Sequence, residues 1–289
     1  MLPLLLYARL TALMVIAIAY AAFDVFNKRN VPDIFAYAAL AVAFLLTLTY
    51  GTKTIEISLL ITAIIIALGY IVYKKGVMGA GDFLEFATIS LILPIQPAAL
   101  LSAVPQLGFP FIFSVLISTG YTAVISMMLY YLAKAAIHGK IRTSRLRPGS
   151  LRSGALLLLA YLAMLAVISY FTGFRLIPSL LILSIGVASS ITVVFDKELN
   201  AQMVSYAYPR ELHPEDMIAT NLMSPEDKSY FMKKSKHFGR LVTKALLRDI
   251  RDTKRKVPLY TSGVPLALFA LLGIIISLAF GNILLYILL

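Results

Sequence analysis

The chain has 289 residues, of which 60% are hydrophobic and 14% are charged, and its formal net charge is +12. The hydrophobic share excludes an ordinary soluble domain, and the lack of cysteine excludes disulfides and thiolate metal sites. A strongly basic chain could bind nucleic acid, but in a membrane protein basic loops next to anionic lipid explain the charge better. We therefore predict the lipid bilayer as a partner and no nucleic acid.

Several apolar runs approach the roughly 20 residues that a membrane-spanning helix requires, whereas the short alternating segments of a β-barrel are absent. The sequence predicts an all-α polytopic membrane protein with six to eight transmembrane helices and a small cytosolic region before the last helix. Eight predicted spans cover residues 4–23, 34–50, 54–73, 83–101, 111–132, 154–171, 178–195 and 264–288. Because Pro94 and Pro97 interrupt the fourth span, we expect it to be short or kinked.

Five regions follow from these spans: a transmembrane core over residues 1–133, a basic cytosolic linker over 134–153, a hairpin over 154–195, a cytosolic polar region over 196–261, and the last helix within 262–289. If the loop after the first span faces the cytosol, cytosolic segments carry 23 of the 26 lysines and arginines. The outer loops then carry only Lys53 and Arg175. This bias predicts a multi-pass protein of the cell membrane with its N-terminus outside.

The polar region contains its own helix signals. Ser224-Pro225-Glu226-Asp227 predicts a helix that starts with a serine cap, a proline and an acidic third residue. Between residues 238 and 250, apolar side chains recur at helical spacing and basic side chains line another face. This pattern is typical of a basic amphipathic helix on the inner membrane surface, but it fits equally well a solvated helix that packs on a small domain of its own.

Two carboxylates mark the candidate site. Asp24 ends the first apolar span, and Asp82 follows Gly79-Ala80-Gly81 at the start of the fourth. A charged side chain at a helix end of a membrane protein is a functional-site hypothesis by default. The predicted orientation places both at the cytosolic face. The structural alternative is that Asp82 caps a helix and Asp24 is a solvated loop residue.

Two carboxyl groups held close together share a proton, because both cannot easily ionise. One then acts as a general base on water while its protonated partner polarises the scissile carbonyl, so peptide hydrolysis needs no metal or cofactor. We expect Gly79 and Gly81 to take positive φ and to let a substrate segment approach closely. Glu85, one turn past Asp82, is a further candidate for substrate binding, with a capping or solvated role as the alternative.

The stretch Gly79-Ala80-Gly81-Asp82, with the upstream Asp24 at the matching helix end, resembles the GxGD pattern of type IV prepilin peptidases. The layout is closest to the archaeal preflagellin and prepilin peptidases, which lack a cysteine-rich domain. Bacterial members usually carry a lysine soon after this aspartate, whereas here Phe83-Leu84-Glu85 follows. The resemblance implies that Asp24 and Asp82 are the catalytic pair. It also implies an aspartic endopeptidase that removes short basic leaders from prepilin-like or preflagellin-like precursors.

Two other classes remain open at the level of sequence. A presenilin-type or signal-peptide-peptidase-type intramembrane protease shares the GxGD pattern, but in that family a tyrosine directly precedes the first aspartate, where this chain has Phe23. A transporter could also use broken helices and intramembrane acids, yet it should show inverted repeats, and none is visible. The sequence does not indicate an oligomeric state.

Overall fold

The structure, a computed structural model, describes residues 3–27, 31–75, 78–101, 108–137, 148–196, 198–199, 204–214, 216–260 and 265–283. The helices are α1 (Pro3–Phe26), α2 (Asp33–Thr47), α3 (Thr52–Lys74), α4 (Ala80–Ile92), α5 (Phe111–Ile137), α6 (Pro148–Thr172), α7 (Leu176–Val194), α8 (Pro225–Lys234), α9 (Lys244–Ile250) and α10 (Leu266–Phe280). Two short strands, β1 (Val204–Ala207) and β2 (Val257–Tyr260), pair antiparallel. The predicted all-α polytopic membrane class is confirmed.

Within the described residues, α1, α3, α5, α6 and α7 are long and apolar enough to cross a membrane, while α2 and α10 are shorter apolar helices of 15 residues each. The fourth span is shorter than predicted. Helix α4 ends at Ile92, whereas the predicted span continues to residue 101. Leu93 leaves the helical region with φ −132° and ψ 79°, as expected for a residue that precedes a proline. Pro94 therefore ends this helix rather than kinking it.

Helix α4 lies at the centre of the transmembrane bundle. Every residue from Phe83 to Ile92 is buried, and α2 and α3 pack against it on two sides. Polar groups on α4 find partners on these neighbours, since the Thr62 and Ser90 hydroxyls lie 2.6 Å apart. Helix α10 packs between α1 and α5, α7 packs on α5, and α6 packs on α7. A helix enclosed in this way can present polar side chains to a site without exposing them to lipid.

One end of this bundle is fixed by Arg9. Its guanidinium is buried, lies over the Tyr50 ring at 3.2 Å from the centroid, and donates a hydrogen bond of 3.3 Å to the Leu46 carbonyl at the end of α2. The Tyr50 hydroxyl donates in turn to the carbonyl of Ile92 at the end of α4. At a rise of about 1.5 Å per residue, Arg9 lies roughly 22 Å along α1 from Asp24. The candidate acids therefore lie at the opposite end.

The polar region folds as a small domain between α7 and α10. Ser224 caps α8 by accepting a hydrogen bond of 3.1 Å from the Asp227 amide, as its sequence predicts. The apolar residues between 238 and 250 do not form one long surface helix. Instead α9 covers only Lys244–Ile250, and the buried core of the domain consists of Leu212, Ile218, Phe231, Val242, Leu246, Ile250 and Val257. The structure therefore favours the second of the two alternatives, because the apolar face is already covered by protein.

The ends of the predicted basic linker differ from those of the neighbouring helices. Helices α5 and α6 take up both ends of the predicted linker, since α5 continues to Ile137 and α6 begins at Pro148, while residues 138–147 lie outside the described residues. Helix α10 ends at Phe280, where Gly281 adopts a φ of 77° that few other residues tolerate. Ile283 is helical again, and the predicted end of the last span at residue 288 stays a prediction. Residues 284–289 lie outside the described part of the chain.

Candidate active site

Asp24 lies inside the last turn of α1, because that helix continues past Phe23 to Phe26. The side chain is 6% exposed, so the solvated-loop alternative does not describe it. Its Oδ2 atom accepts a hydrogen bond of 3.1 Å from the backbone amide of Ala267 in the first turn of α10. A helix N-terminus stabilises negative charge through its free amides and its dipole, so α10 provides a favourable partner for this buried carboxylate.

Asp82 lies in the first turn of α4 and is partly buried. Gly79 is the N-cap residue of the helix, and its amide donates a hydrogen bond of 2.9 Å to Oδ2 of Asp82. The structural alternative is therefore partly right, since Asp82 does contribute to capping. This bond uses one of the two carboxyl oxygens, so capping and catalysis are compatible.

The structure brings the two predicted aspartates together at one end of the bundle. Tyr20, one turn before Asp24, packs in one cluster with Phe83, which follows Asp82, and with Ala267, whose amide binds Asp24. The N-termini of α4 and α10 both reach this cluster, each through a backbone amide that binds one aspartate. Two acids from distant parts of the sequence thus share one partly desolvated site.

Aromatic side chains enclose this site on the side of α2 and α3. The ring of Phe35 lies 5.0 Å from those of Tyr20 and Phe23, measured between centroids. Tyr73 packs on Phe83, the residue after Asp82, with centroids 6.4 Å apart. Such rings exclude water and lower the local dielectric, which strengthens the electrostatic interactions between the acids.

The expectation that the two site glycines take positive φ is wrong. Gly79 has φ −72° and ψ 157°, and Gly81 lies within α4. Among the described glycines, positive φ occurs elsewhere. Close approach is what Gly81 provides, because a Cβ at this position would lie 3.0 Å from Cβ of Val31. A role of these glycines in substrate binding stays a prediction.

Glu85 is 2% exposed, and its Oε1 atom has no hydrogen-bond partner among the residues that the structure describes. Tyr20, which the sequence analysis did not single out, is fully buried and lies near Glu85, Asp82 and Thr88. Helical spacing in the sequence could have indicated Tyr20. Tyr20 precedes Asp24 by four residues, and Glu85 follows Asp82 by three, so each pair lies on one helix face.

The type IV leader peptidase family matches residues 11–127 of the chain. Over this range the chain is similar to that family. The matched range contains most of α1, all of α2, α3 and α4, and most of α5, and thus both Asp24 and Asp82. The match confirms the resemblance to the type IV prepilin peptidases for this part of the chain, and it indicates a peptidase with a prepilin-type role. No curated protein and no solved structure matches the chain.

Proposed function

We propose that this protein is a membrane aspartic endopeptidase in which Asp24 and Asp82 activate water together. One carboxylate removes a proton from the water molecule that attacks the scissile carbonyl, and the protonated partner donates a hydrogen bond to the carbonyl oxygen. Proton transfer to the leaving amine then yields two peptides. The observation that carries this proposal is the meeting of the two acids at one bundle end, each held by the N-terminus of a helix.

The proposed substrates are prepilin-like or preflagellin-like precursors with a short basic leader and an apolar helix. The apolar helix would lie in the bilayer and the leader in the cytosol, so the scissile bond would fall at the interface. The distribution of lysine and arginine supports a cytosolic active site. The family match favours this class over a presenilin-type protease or a transporter. The archaeal subgroup remains a proposal from the layout of the motifs.

A basic leader needs a local acidic surface, and the acidic side chains between residues 211 and 227 offer one, with an ordinary solvated face as the alternative. Several of them have local partners instead. Glu211 accepts a hydrogen bond from the Tyr208 amide, and Asp216 accepts one from the His213 amide. Glu215 lies outside the described residues. These contacts support the ordinary alternative, and steering of the leader stays a prediction.

The test is a cleavage assay in proteoliposomes with a precursor that has a basic leader and an apolar helix. Asp24→Asn and Asp82→Asn should each reduce the rate by roughly 10⁴-fold or more, since the pair acts as a unit. Asp33→Asn is the matched control, because Asp33 is exposed at the start of α2 and should be dispensable. Substantial cleavage by either site variant would refute the proposed function.

A further inference from the structure

The proposed reaction uses two carboxyl groups, yet the site contains a third. Glu85 lies one helical turn deeper in the bundle than Asp82, on the same face of α4. It is 2% exposed, although a glutamate is almost never fully buried unless it is paired. Helix packing alone does not require an acid here, because an apolar side chain could fill this volume. The position therefore calls for a chemical explanation.

The surroundings of Glu85 contain acids and hydroxyl groups. Tyr20 of α1 packs in one cluster with Phe83 and Leu84, the residues that precede Glu85, and Asp24 follows one turn later on α1. Asp82 and Thr88 lie one turn away from Glu85 on α4. The ring of Tyr73 on α3 packs against Phe83. Neither of the two salt bridges that the structure shows between described residues brings a lysine or arginine to Glu85.

An ionised carboxylate that is buried without a partner costs several kcal/mol, and two neighbouring acids add repulsion. A neutral carboxylic acid avoids both costs and gains a hydrogen-bond donor. The O–H group of the neutral Glu85 can donate a hydrogen bond to the carboxylate of the aspartate pair. This arrangement would fix the orientation of that carboxylate and keep a single negative charge in the site.

We infer that Glu85 is a neutral third acid that positions the aspartate pair by donating a hydrogen bond to it. This inference rests on the proposed function. Glu85 is then a positioning residue and not a direct contact of the substrate, in agreement with its burial. Tyr20 closes the site from the α1 side and keeps water away from Glu85.

The test compares three side chains at position 85 in the full-length protein in proteoliposomes. Glu85→Gln keeps a donor without charge and should retain most of the cleavage rate. Glu85→Leu keeps the volume without a donor and should lower kcat by about tenfold or more, because the carboxylate is no longer oriented. KM should stay unchanged in both variants, since Glu85 does not touch the substrate. Equal loss in both variants, or a change confined to KM, would overturn the inference.

Infrared spectroscopy gives a readout that a merely structural role would not change. The wild-type protein at neutral pH should show a C=O stretching band of a protonated carboxylic acid that is lost in Glu85→Gln. A difference spectrum without that band would show an ionised Glu85 and contradict the inference.

The variants Asp24→Asn and Asp82→Asn separate this inference from the proposed function. If they are inactive while Glu85→Leu cleaves normally, only the inference fails; if they remain active, the proposed function itself fails.

Discussion

The backbone amide of Ala267 donates a hydrogen bond of 3.1 Å to the carboxylate of Asp24, although the two residues are 243 positions apart in the chain. The last helix thus completes a site whose two predicted acids come from the first third of the sequence. The family match ends at residue 127, well before this contact. Helix α10 is therefore part of the candidate site even though the matched region does not include it.

This bond predicts that two inactive variants differ in stability. Asp24→Asn and Asp24→Ala should both abolish cleavage. Asparagine still offers an oxygen to the buried Ala267 amide, whereas alanine leaves it unsatisfied, which costs about 1–3 kcal/mol. Asp24→Ala should therefore have the lower free energy of unfolding, measured by denaturation in detergent micelles. Equal stability of the two variants would show that the bond does not contribute.

Metal removal is expected to have no effect. A pair of aspartates activates water without a metal, so EDTA should leave the cleavage rate of the wild-type protein unchanged. The measurement is the initial rate before and after dialysis against the chelator. Loss of activity that zinc restores would contradict the aspartate-pair mechanism and favour a metalloprotease.

A second structural prediction concerns the contact between Gly81 and Val31. A Cβ at position 81 would lie 3.0 Å from Cβ of Val31, so Gly81→Ala should destabilise the protein by about 1–3 kcal/mol through overpacking. Adding Val31→Ala should restore most of the loss by making room. Gly120→Ala is the control, since a Cβ there meets no atom within 4 Å and a helical alanine gains about 0.5–1 kcal/mol over glycine. A Gly81→Ala protein as stable as wild type would rule out this close contact.

The sequence predicted the helices of the bundle well because long apolar runs and basic loops are strong local signals. It indicated Asp24 and Asp82 as a candidate pair because a charged residue at an apolar helix end is conspicuous. It did not predict the Ala267 contact, since the donor is a backbone amide and leaves no trace in the residue type. The conformations of Gly79 and Gly81 were also mispredicted, because glycine signals either positive φ or close packing and sequence alone does not separate them.

The orientation can be measured directly because the chain has no cysteine. Lys75→Cys and Gly149→Cys should react with a membrane-impermeant thiol reagent only from the cytosolic side. Thr52→Cys and Phe174→Cys should react only from outside, since they lie at the other ends of α3 and α6. All four positions are exposed. Labelling of Thr52→Cys and Lys75→Cys from the same side would refute the predicted topology.

Acid should weaken the start of α8 in the small domain. Hydrogen bonds from the Ser224 hydroxyl and from Arg255 hold the pKa of Asp227 below its usual range. A folded pKa below the unfolded one adds stability above the unfolded pKa, and that stability is lost as the pH falls through the folded value. Asp227→Asn should therefore increase hydrogen exchange in α8 at neutral pH, with the difference vanishing in strong acid. Glu226→Gln, an exposed neighbour, should have a smaller effect.

The small domain is expected to rest on anionic lipid. Residues 228–256 contain eleven exposed basic side chains and two acidic ones, and the domain is tethered at both ends to membrane helices. Each lysine or arginine near an anionic surface contributes about 1 kcal/mol. The exposed basic residues are Lys228, Lys233, Lys234, Lys236, Arg240, Lys244, Arg248, Arg251, Lys254, Arg255 and Lys256.

In nanodiscs, backbone amides of α9 should therefore exchange more slowly in anionic than in neutral lipid, and added salt should shrink the difference by screening. Lys244, Arg248 and Arg251 share one face of this helix, so replacing all three with glutamine should reduce the lipid dependence. Lys53→Gln, at the opposite end of the bundle, is the control and should leave it unchanged. If exchange in α9 is the same in both lipids, the basic surface faces the solvent. The positive charge of the domain then contributes only to the orientation of the protein in the membrane.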